Sequence, residues 1–213
     1  MLIIFDLDGT LLNSIQDLSN ATNYALQTCG YPLRTTAECL QFVGSGVSKL
    51  LERALPQGEQ TPEHIASLRP FFIHYYNTHF TDCTFPYPGM KQTLCALKAR
   101  GHQLAVASNK YHAATQKTIA HFFPDISFAV VLGQRDGAPV KPNPAIVEEI
   151  LKTTKTAKEE CLYVGDSDVD MQTARNAGVK SCAALWGFRP REVLEAFTPD
   201  FLIERPEDLL KII

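Results

Sequence analysis

An α/β fold with a parallel sheet and an inserted helical unit is predicted by three features of this sequence. Short apolar runs alternate with helical stripes over most of the chain, the signature of βαβ units. Most of those runs are apolar throughout, as expected of strands covered by helices on both faces. One long stretch breaks the alternation with helical periodicity and almost no strand signal. The predicted strands are Leu2–Phe5, Gln103–Ala107, Phe128–Leu132, Cys161–Val164, Ser181–Leu185 and Phe201–Ile203. Between them, Leu94, Leu97 and Lys98 continue a helix that stops at Gly101. Ile146, Val147, Ile150 and Leu151 line one face of another, with Asn143 as its cap and Pro144 at its first position.

The interruption runs from about Ser14 to Cys83. Ile15, Leu18, Ala25 and Leu26 form one stripe ending near Gly30; Val47, Leu50, Leu51 and Ala54 form a second; Ile65, Leu68, Phe72 and Tyr75 form a third after Thr61-Pro62. Stripes that face one another make a small bundle, with Phe71, Phe72, Tyr75 and Tyr76 as its core. The expected division is therefore a sheet domain of residues 1–14 and 84–213 and a helical cap of residues 15–83, joined near Leu12–Ser14 and Thr84–Gly89.

Composition narrows the ligand classes. The 213 residues are 45% hydrophobic and 20% charged, which suits one large or two modest globular domains. With 20 Lys+Arg against 23 Asp+Glu, a net of -3, the chain carries no footprint for nucleic acid or an anionic membrane. The four apolar residues between Met1 and Asp6 are too few for a secretory core, and no run is long enough to span a bilayer. Cys29, Cys39, Cys83, Cys95, Cys161 and Cys182 lie far apart, so they read as reduced thiols of a cytoplasmic protein. The six histidines show no ligand spacing.

Open parallel sheets bind ligands outside the carboxyl ends of their strands. Three such positions hold Asp6-Leu7-Asp8-Gly9-Thr10, Ser108-Asn109-Lys110 and Gly165-Asp166-Ser167-Asp168-Val169-Asp170. Bringing Asp6, Asp8, Asp166 and Asp170 together sets up repulsions of roughly several kcal/mol per close pair at an effective dielectric of ~20. A cation among them relieves this, and hard oxygen ligands free of His and Cys suit Mg²⁺ rather than zinc. With the substrate's charge neutralised, Asp6 can attack phosphorus. Lys141, in Val140-Lys141-Pro142-Asn143-Pro144, is the best lysine to share that neutralisation, because flanking prolines stiffen its loop and a helix start follows. Asp8 is placed to protonate a leaving alkoxide. Gly9 permits the tight turn, while Thr10, Ser108 and Asn109 supply donors for phosphate oxygens. Capping of the next helix is the competing role for Ser108 and Asn109. Asp168 reads as a favourable charge at a helix start. Trp186 and Arg189, after a predicted strand, read as packing residues.

Those segments carry a resemblance to the haloacid dehalogenase superfamily, and within it to capped phosphatases of the phosphoglycolate phosphatase type. Four motifs match in order: Phe-Asp-Leu-Asp-Gly-Thr-Leu at 5–11, Ala-Ser-Asn at 107–109, Lys-Pro at 141–142 and Gly-Asp-Ser-Asp-Val-Asp at 165–170. The resemblance implies a Rossmann-like core with a helical cap between the first two motifs. It implies Asp6 as nucleophile and Mg²⁺ ligand, Asp8 as acid/base that binds metal through its backbone carbonyl, and Asp166 as the third protein ligand, with Asp170 behind them or joined through water. Lys141 completes the catalytic set. Phe42-Val43-Gly44-Ser45-Gly46-Val47, with Lys49 and Arg53 following, is similar to the family's substrate-facing cap loop, which puts Gly44 among substrate-binding residues; a plain helix–helix turn is the other reading. The implied function is Mg²⁺-dependent hydrolysis of a small phosphomonoester, phosphoglycolate favoured, through an aspartyl-phosphate, by a monomer or weak homodimer. A phosphosugar mutase like the beta-phosphoglucomutases, which share the core, is the enzyme alternative. A non-enzymatic aspartyl phosphoacceptor is the alternative from another class.

Overall fold

The computed structural model describes residues 1–213. They divide into two compact units, one of Met1–Asn13 with Pro86–Ile213 and one of Ser14–Phe85. The helices are α1 (Ile15–Thr28), α2 (Thr36–Phe42), α3 (Val47–Ala54), α4 (Pro62–His79), α5 (Met90–Ala99), α6 (His112–Phe122), α7 (Ala145–Thr154), α8 (Asp168–Ala177), α9 (Arg191–Glu195) and α10 (Leu209–Ile212). No helix is long and apolar enough to cross a membrane.

The first unit is built on six strands, β1 (Leu2–Phe5), β2 (Gln103–Tyr111), β3 (Val130–Gln134), β4 (Cys161–Gly165), β5 (Lys180–Ala184) and β6 (Phe201–Ile203). Their order across the sheet is β3-β2-β1-β4-β5-β6, and every neighbouring pair is parallel. This is the doubly wound, Rossmann-like order, in which the chain winds outward from β1 and then returns to β1's other side. The strand apolarity that predicted it has its physical cause here. Leu2, Ile4, Ala105, Ala107, Cys161 and Tyr163 pack on Ile146, Val147, Ile150 and Leu151 of α7 and Ala174 and Ala177 of α8 in one buried cluster.

Register makes the strand ends level. Phe5 lies opposite Val106 on one side and Val164 on the other, and the Asp6 amide continues the ladder to the Val164 carbonyl at 2.9 Å. Side chains just past these three residues therefore emerge at one height around the crevice between β1 and β4. Three strand predictions shift slightly: β3 begins at Val130 rather than Phe128, β4 extends one residue to Gly165, and β5 runs from Lys180 to Ala184. More consequential is β2, which continues to Tyr111 through an irregular register opposite β3. Ser108, Asn109 and Lys110 are thus strand residues, and α6 has Tyr111 at its N-cap, with no side-chain bond. The capping role considered for Ser108 and Asn109 is corrected accordingly. Helix α7 starts at Ala145 with Pro144 as its cap residue, one position later than expected, while Asn143 Oδ1 accepts from the Ala145 amide.

The second unit is a four-helix cluster. Leu18, Ala25, Leu26, Leu50, Leu51, Leu68, Phe72 and Tyr76 are buried in it. Of the aromatic set expected in its core, Phe71 is exposed and Tyr75 is only partly covered, its ring stacked on Tyr24 at 4.8 Å. Helix α2 was not predicted. Its signal is a capping box, in which Thr35 Oγ accepts from the Glu38 amide and Glu38 accepts from the Thr35 amide. Asp17, fully buried at the start of α1, accepts from the amides of Cys83 and Thr84 and from the Thr84 hydroxyl at 2.7–3.1 Å. That carboxylate holds the two chain ends of the insertion side by side.

Replacing Ile150, which has no exposed surface, with Ala should lower the stability of the sheet unit by about 2–5 kcal/mol. Urea denaturation followed by fluorescence of Trp186, the only tryptophan, measures it. A loss below about 1 kcal/mol would show that α7 is not packed on the sheet in this way.

Candidate active site

Three carboxylates meet at the ends of β1 and β4. Oxygens of Asp6, Asp166 and Asp170 all lie within 4.8 Å of one another. Asp6 follows β1 directly and Asp166 follows β4, while Asp170 sits in the first turn of α8, where Ser167 and Asp170 cap each other reciprocally. Local sequence fixes each placement. The Gly9 backbone has φ +91°, a conformation that disfavours side chains, and a Cβ there would fall 2.2 Å from Asp166 Oδ2. A Cβ on Gly187 would fall 2.1 Å from the Asp166 Cβ, so Asp166 is enclosed by two positions where only glycine fits.

A single ammonium lies among these acids. Lys141 Nζ is 2.9 Å from Asp6 Oδ1, 2.7 Å from Asp170 Oδ1, 3.0 Å from the Ala107 carbonyl and 3.0 Å from the Tyr163 hydroxyl. Asn109 holds the Lys141 backbone at both ends of the peptide, with Oδ1 accepting its amide at 2.9 Å and Nδ2 donating to its carbonyl at 3.1 Å. Asp8 points elsewhere and pairs with Lys110 Nζ through both oxygens at 2.9 and 3.0 Å.

Counting lone pairs separates the three acids, since an ionised carboxylate accepts about four hydrogen bonds. Asp170 has four donors around it: Lys141 and Tyr163 on Oδ1, and the Ser167 amide and hydroxyl on Oδ2. Asp166 has two, the Thr10 hydroxyl at 2.8 Å and the Phe188 amide at 2.7 Å. Asp6 Oδ1 is buried without a well-directed hydrogen bond, although Lys141 stands beside it. Burial is the main force raising Asp6, to about 7, with the charge of Lys141 pulling it back and those of Asp170 and Asp8 adding to it. Burial likewise raises Asp166 well above the usual carboxylate range, aided by Asp170 and Asp6. Burial opposes the charge on Lys141, but the neighbouring Asp170 and Asp6 outweigh it and hold the ammonium protonated. Three acids against one buried cation, with open lone pairs on Asp6 and Asp166 and no His or Cys in the set, form an oxygen-lined site that fits a hard divalent ion.

The structure brings Asp6, Lys141 and Asp166 into one cluster, and Asn109 into contact with Lys141. Thr10, expected as a phosphate donor, is fully buried and spends its hydroxyl on Asp166. Ser108 Oγ accepts the Lys110 amide at 3.2 Å. Gly44 belongs to the other unit, in the link between α2 and α3, with φ +122°. Arg53 braces that link by donating to the Phe42 carbonyl and the Ser45 hydroxyl. Sequence reasoning missed Lys110, although it directly follows Asn109, and Tyr163, which read only as a strand residue. Trp186, read as packing, donates Nε1 to the Thr10 carbonyl at 2.9 Å and so supports the loop that carries Asp6 and Asp8.

Comparison with known proteins shows the family. The profile of the haloacid dehalogenase-like hydrolases matches residues 3–184. The phosphoglycolate phosphatase of Vibrio cholerae serotype O1 is 35% identical over 222 residues, covering 100% of this chain and 96% of its own. That of Aquifex aeolicus is 32% identical over 214 residues, covering 99% and 95%. The crystal structure of a predicted phosphoglycolate phosphatase from Haemophilus somnus 129pt superposes with a TM-score of 0.91 at 32% identity, covering 99% of this chain and 96% of that one. Sheet order, site and sequence together place this chain in the haloacid dehalogenase-like hydrolase family.

Proposed function

We propose that this chain is a Mg²⁺-dependent phosphatase of small phosphomonoesters, with phosphoglycolate the favoured substrate and Asp6 the nucleophile. The observation that carries it is the buried Asp6 carboxylate, paired with the Lys141 ammonium at 2.9 Å and lying beside Asp166 and Asp170 in one cluster of acids. A carboxylate accepts about four hydrogen bonds, so one that is paired with a single ammonium keeps lone pairs for a metal or for phosphorus. Relatives that are named phosphoglycolate phosphatase at 32–35% identity over essentially the whole chain support the choice of substrate.

The proposed ligands are the Asp6 and Asp166 carboxylates and the Asp8 backbone carbonyl; Asp170, with its four donors, serves to hold Lys141. Bound Mg²⁺ supplies charge neutralisation for the phosphoryl group. An oxygen of Asp6 attacks phosphorus, the ester oxygen departs with the phosphorus–oxygen bonding pair, and Asp8 gives that oxygen a proton. Water then attacks the aspartyl-phosphate while Asp8 takes its proton, releasing inorganic phosphate and restoring Asp6. Lys141 stays cationic through both steps and offsets the phosphoryl charge. Ser108 donates its hydroxyl proton to a phosphoryl oxygen, and Asn109 acts by holding the Lys141 backbone. The Lys110 pair anchors Asp8 in the ground state and must open for proton transfer. Gly44 and its link contribute to substrate choice from the helical unit.

Asp6→Asn should reduce Mg²⁺-dependent turnover of an aryl phosphate by roughly a thousandfold or more, because the amide is not a nucleophile toward phosphorus. Retained turnover rejects the mechanism. In a panel of phosphate esters, phosphoglycolate should show the highest kcat/KM; conversion of a hexose 1-phosphate to its 6-phosphate would instead indicate a mutase.

Stability should respond to pH and metal together. Asp6, raised to about 7 by burial, and Asp166, raised in the same direction, disfavour the ionised form in the folded chain. Their contribution is therefore present at acid pH and lost as pH rises from the unfolded carboxylate range through about 7. A divalent ion favours the ionised acids and offsets that loss. The rise in melting temperature on adding Mg²⁺ to EDTA-treated protein should accordingly be larger at pH 8 than at pH 5. An equal rise at both values would place the ion elsewhere.

A further inference from the structure

Asp166 is gripped from two segments that are themselves tied together. The Thr10 hydroxyl donates to Oδ1 at 2.8 Å and the Phe188 amide to Oδ2 at 2.7 Å. Thr10 lies in the turn that follows Asp6 and Asp8, whereas Phe188 belongs to the loop after β5, which holds no acid of the site. Trp186 joins the two, because its Nε1 donates to the Thr10 carbonyl at 2.9 Å. Trp186-Gly187-Phe188 is therefore a strap with one end on the Asp6 loop and the other on Asp166. Gly187 lets the strap lie close, since a Cβ there would fall 2.1 Å from the Asp166 Cβ. The root of the strap is fixed by backbone, with the Leu185 amide donating to the Ile203 carbonyl at 3.0 Å. The indole is tilted against the buried ring of Tyr87, with centroids 6.3 Å apart.

We infer that Trp186 is a positioning residue for the divalent-ion site: its indole N–H, through the Thr10 carbonyl, fixes the Asp6 loop relative to Asp166 before an ion arrives. The inference rests on the reading of Asp6 and Asp166 as ligands of one ion. Those carboxylates stand on separate loops, one after β1 and one after β4, and strand register fixes only the roots of those loops. Beyond the roots two ionised acids repel each other, so loops free to move would separate. Three hydrogen bonds close a ring around that spacing: Trp186 to Thr10, Thr10 to Asp166 and Phe188 to Asp166. The ring also orients Asp166, giving each of its oxygens one donor and leaving each a lone pair. An ion that meets ligands already at their bound separation loses less free energy to ordering them, which is how groups behind the ligands govern metal affinity.

Replacing the indole of Trp186, the only tryptophan, with benzothiophene by incorporation of the amino-acid analogue removes the N–H donor and keeps the two-ring shape. Trp186→Phe removes the same donor by mutation. In calorimetric titration of EDTA-treated protein at pH 8, both should bind Mg²⁺ about tenfold or more weakly than wild type. With p-nitrophenyl phosphate, the Mg²⁺ concentration for half-maximal rate should rise by the same factor, while kcat at saturating Mg²⁺ stays within about threefold. Ile150→Ala, a core substitution on α7 outside the strap, controls for lost stability and should leave Mg²⁺ affinity within about twofold. Wild-type Mg²⁺ affinity in the folded benzothiophene protein would overturn the inference, as would an equal weakening in Ile150→Ala. If wild type binds Mg²⁺ but hydrolyses no phosphate ester, the phosphatase reading fails while the titration still decides the role of Trp186. Wild type that binds no Mg²⁺ overturns both.

Discussion

Burying three carboxylates around one ammonium is the constraint on which the rest of this molecule depends. The charges of Asp6, Asp166 and Asp170 cannot be left in a water-poor crevice without compensation, and Lys141 supplies only part of it. Each acid is held by different means. Asp170 is saturated with donors and acts as a fixed counter-charge, Asp166 is gripped by Thr10 and Phe188, and Asp6 is paired with the Lys141 ammonium and keeps lone pairs to spare. An excess of negative charge, concentrated where lone pairs remain open, is a site prepared for a cation and for an electrophile that arrives with it.

The sheet makes that constraint possible. Parallel strands in register end at one level, so residues far apart in sequence, at 6, 109 and 166, emerge around a common crevice. The same βαβ winding covers both faces with helices, which removes water and gives every charge in the crevice more weight. Neither effect needs unusual chemistry in any one segment. Strands β1, β2 and β4 are mainly apolar along their length and carry polar residues at their carboxyl ends.

Parts of this design were open to reading from local pattern, for identifiable reasons. Strands β1 and β6 have their predicted limits because apolar runs end abruptly at Asp6 and Glu204, where solvent or the site begins. The continuation of β2 to Tyr111 escaped, since Ser108, Asn109 and Lys110 carry no apolar signal and are drawn into the strand by pairing with β3. Helix α2 escaped although Thr35 and Glu38 stand at capping-box spacing, because its short run makes no apolar stripe. Thr10 was read as a ligand donor from its place after Asp8-Gly9, yet the fold brings Asp166 within 2.8 Å of its hydroxyl.

From sequence alone came the α/β class, the insertion and the group of acids with Lys141, because periodicity and residue type at strand ends are local properties of a chain. The hydrogen-bond ledger of the site was decided only by tertiary structure. Which carboxylate is saturated, which lysine pairs with Asp8, and that a tyrosine in mid-strand reaches Lys141 all depend on distances between segments up to 102 residues apart, as for Asp8 and Lys110. Such distances are set by packing and register, which no single stretch of sequence contains.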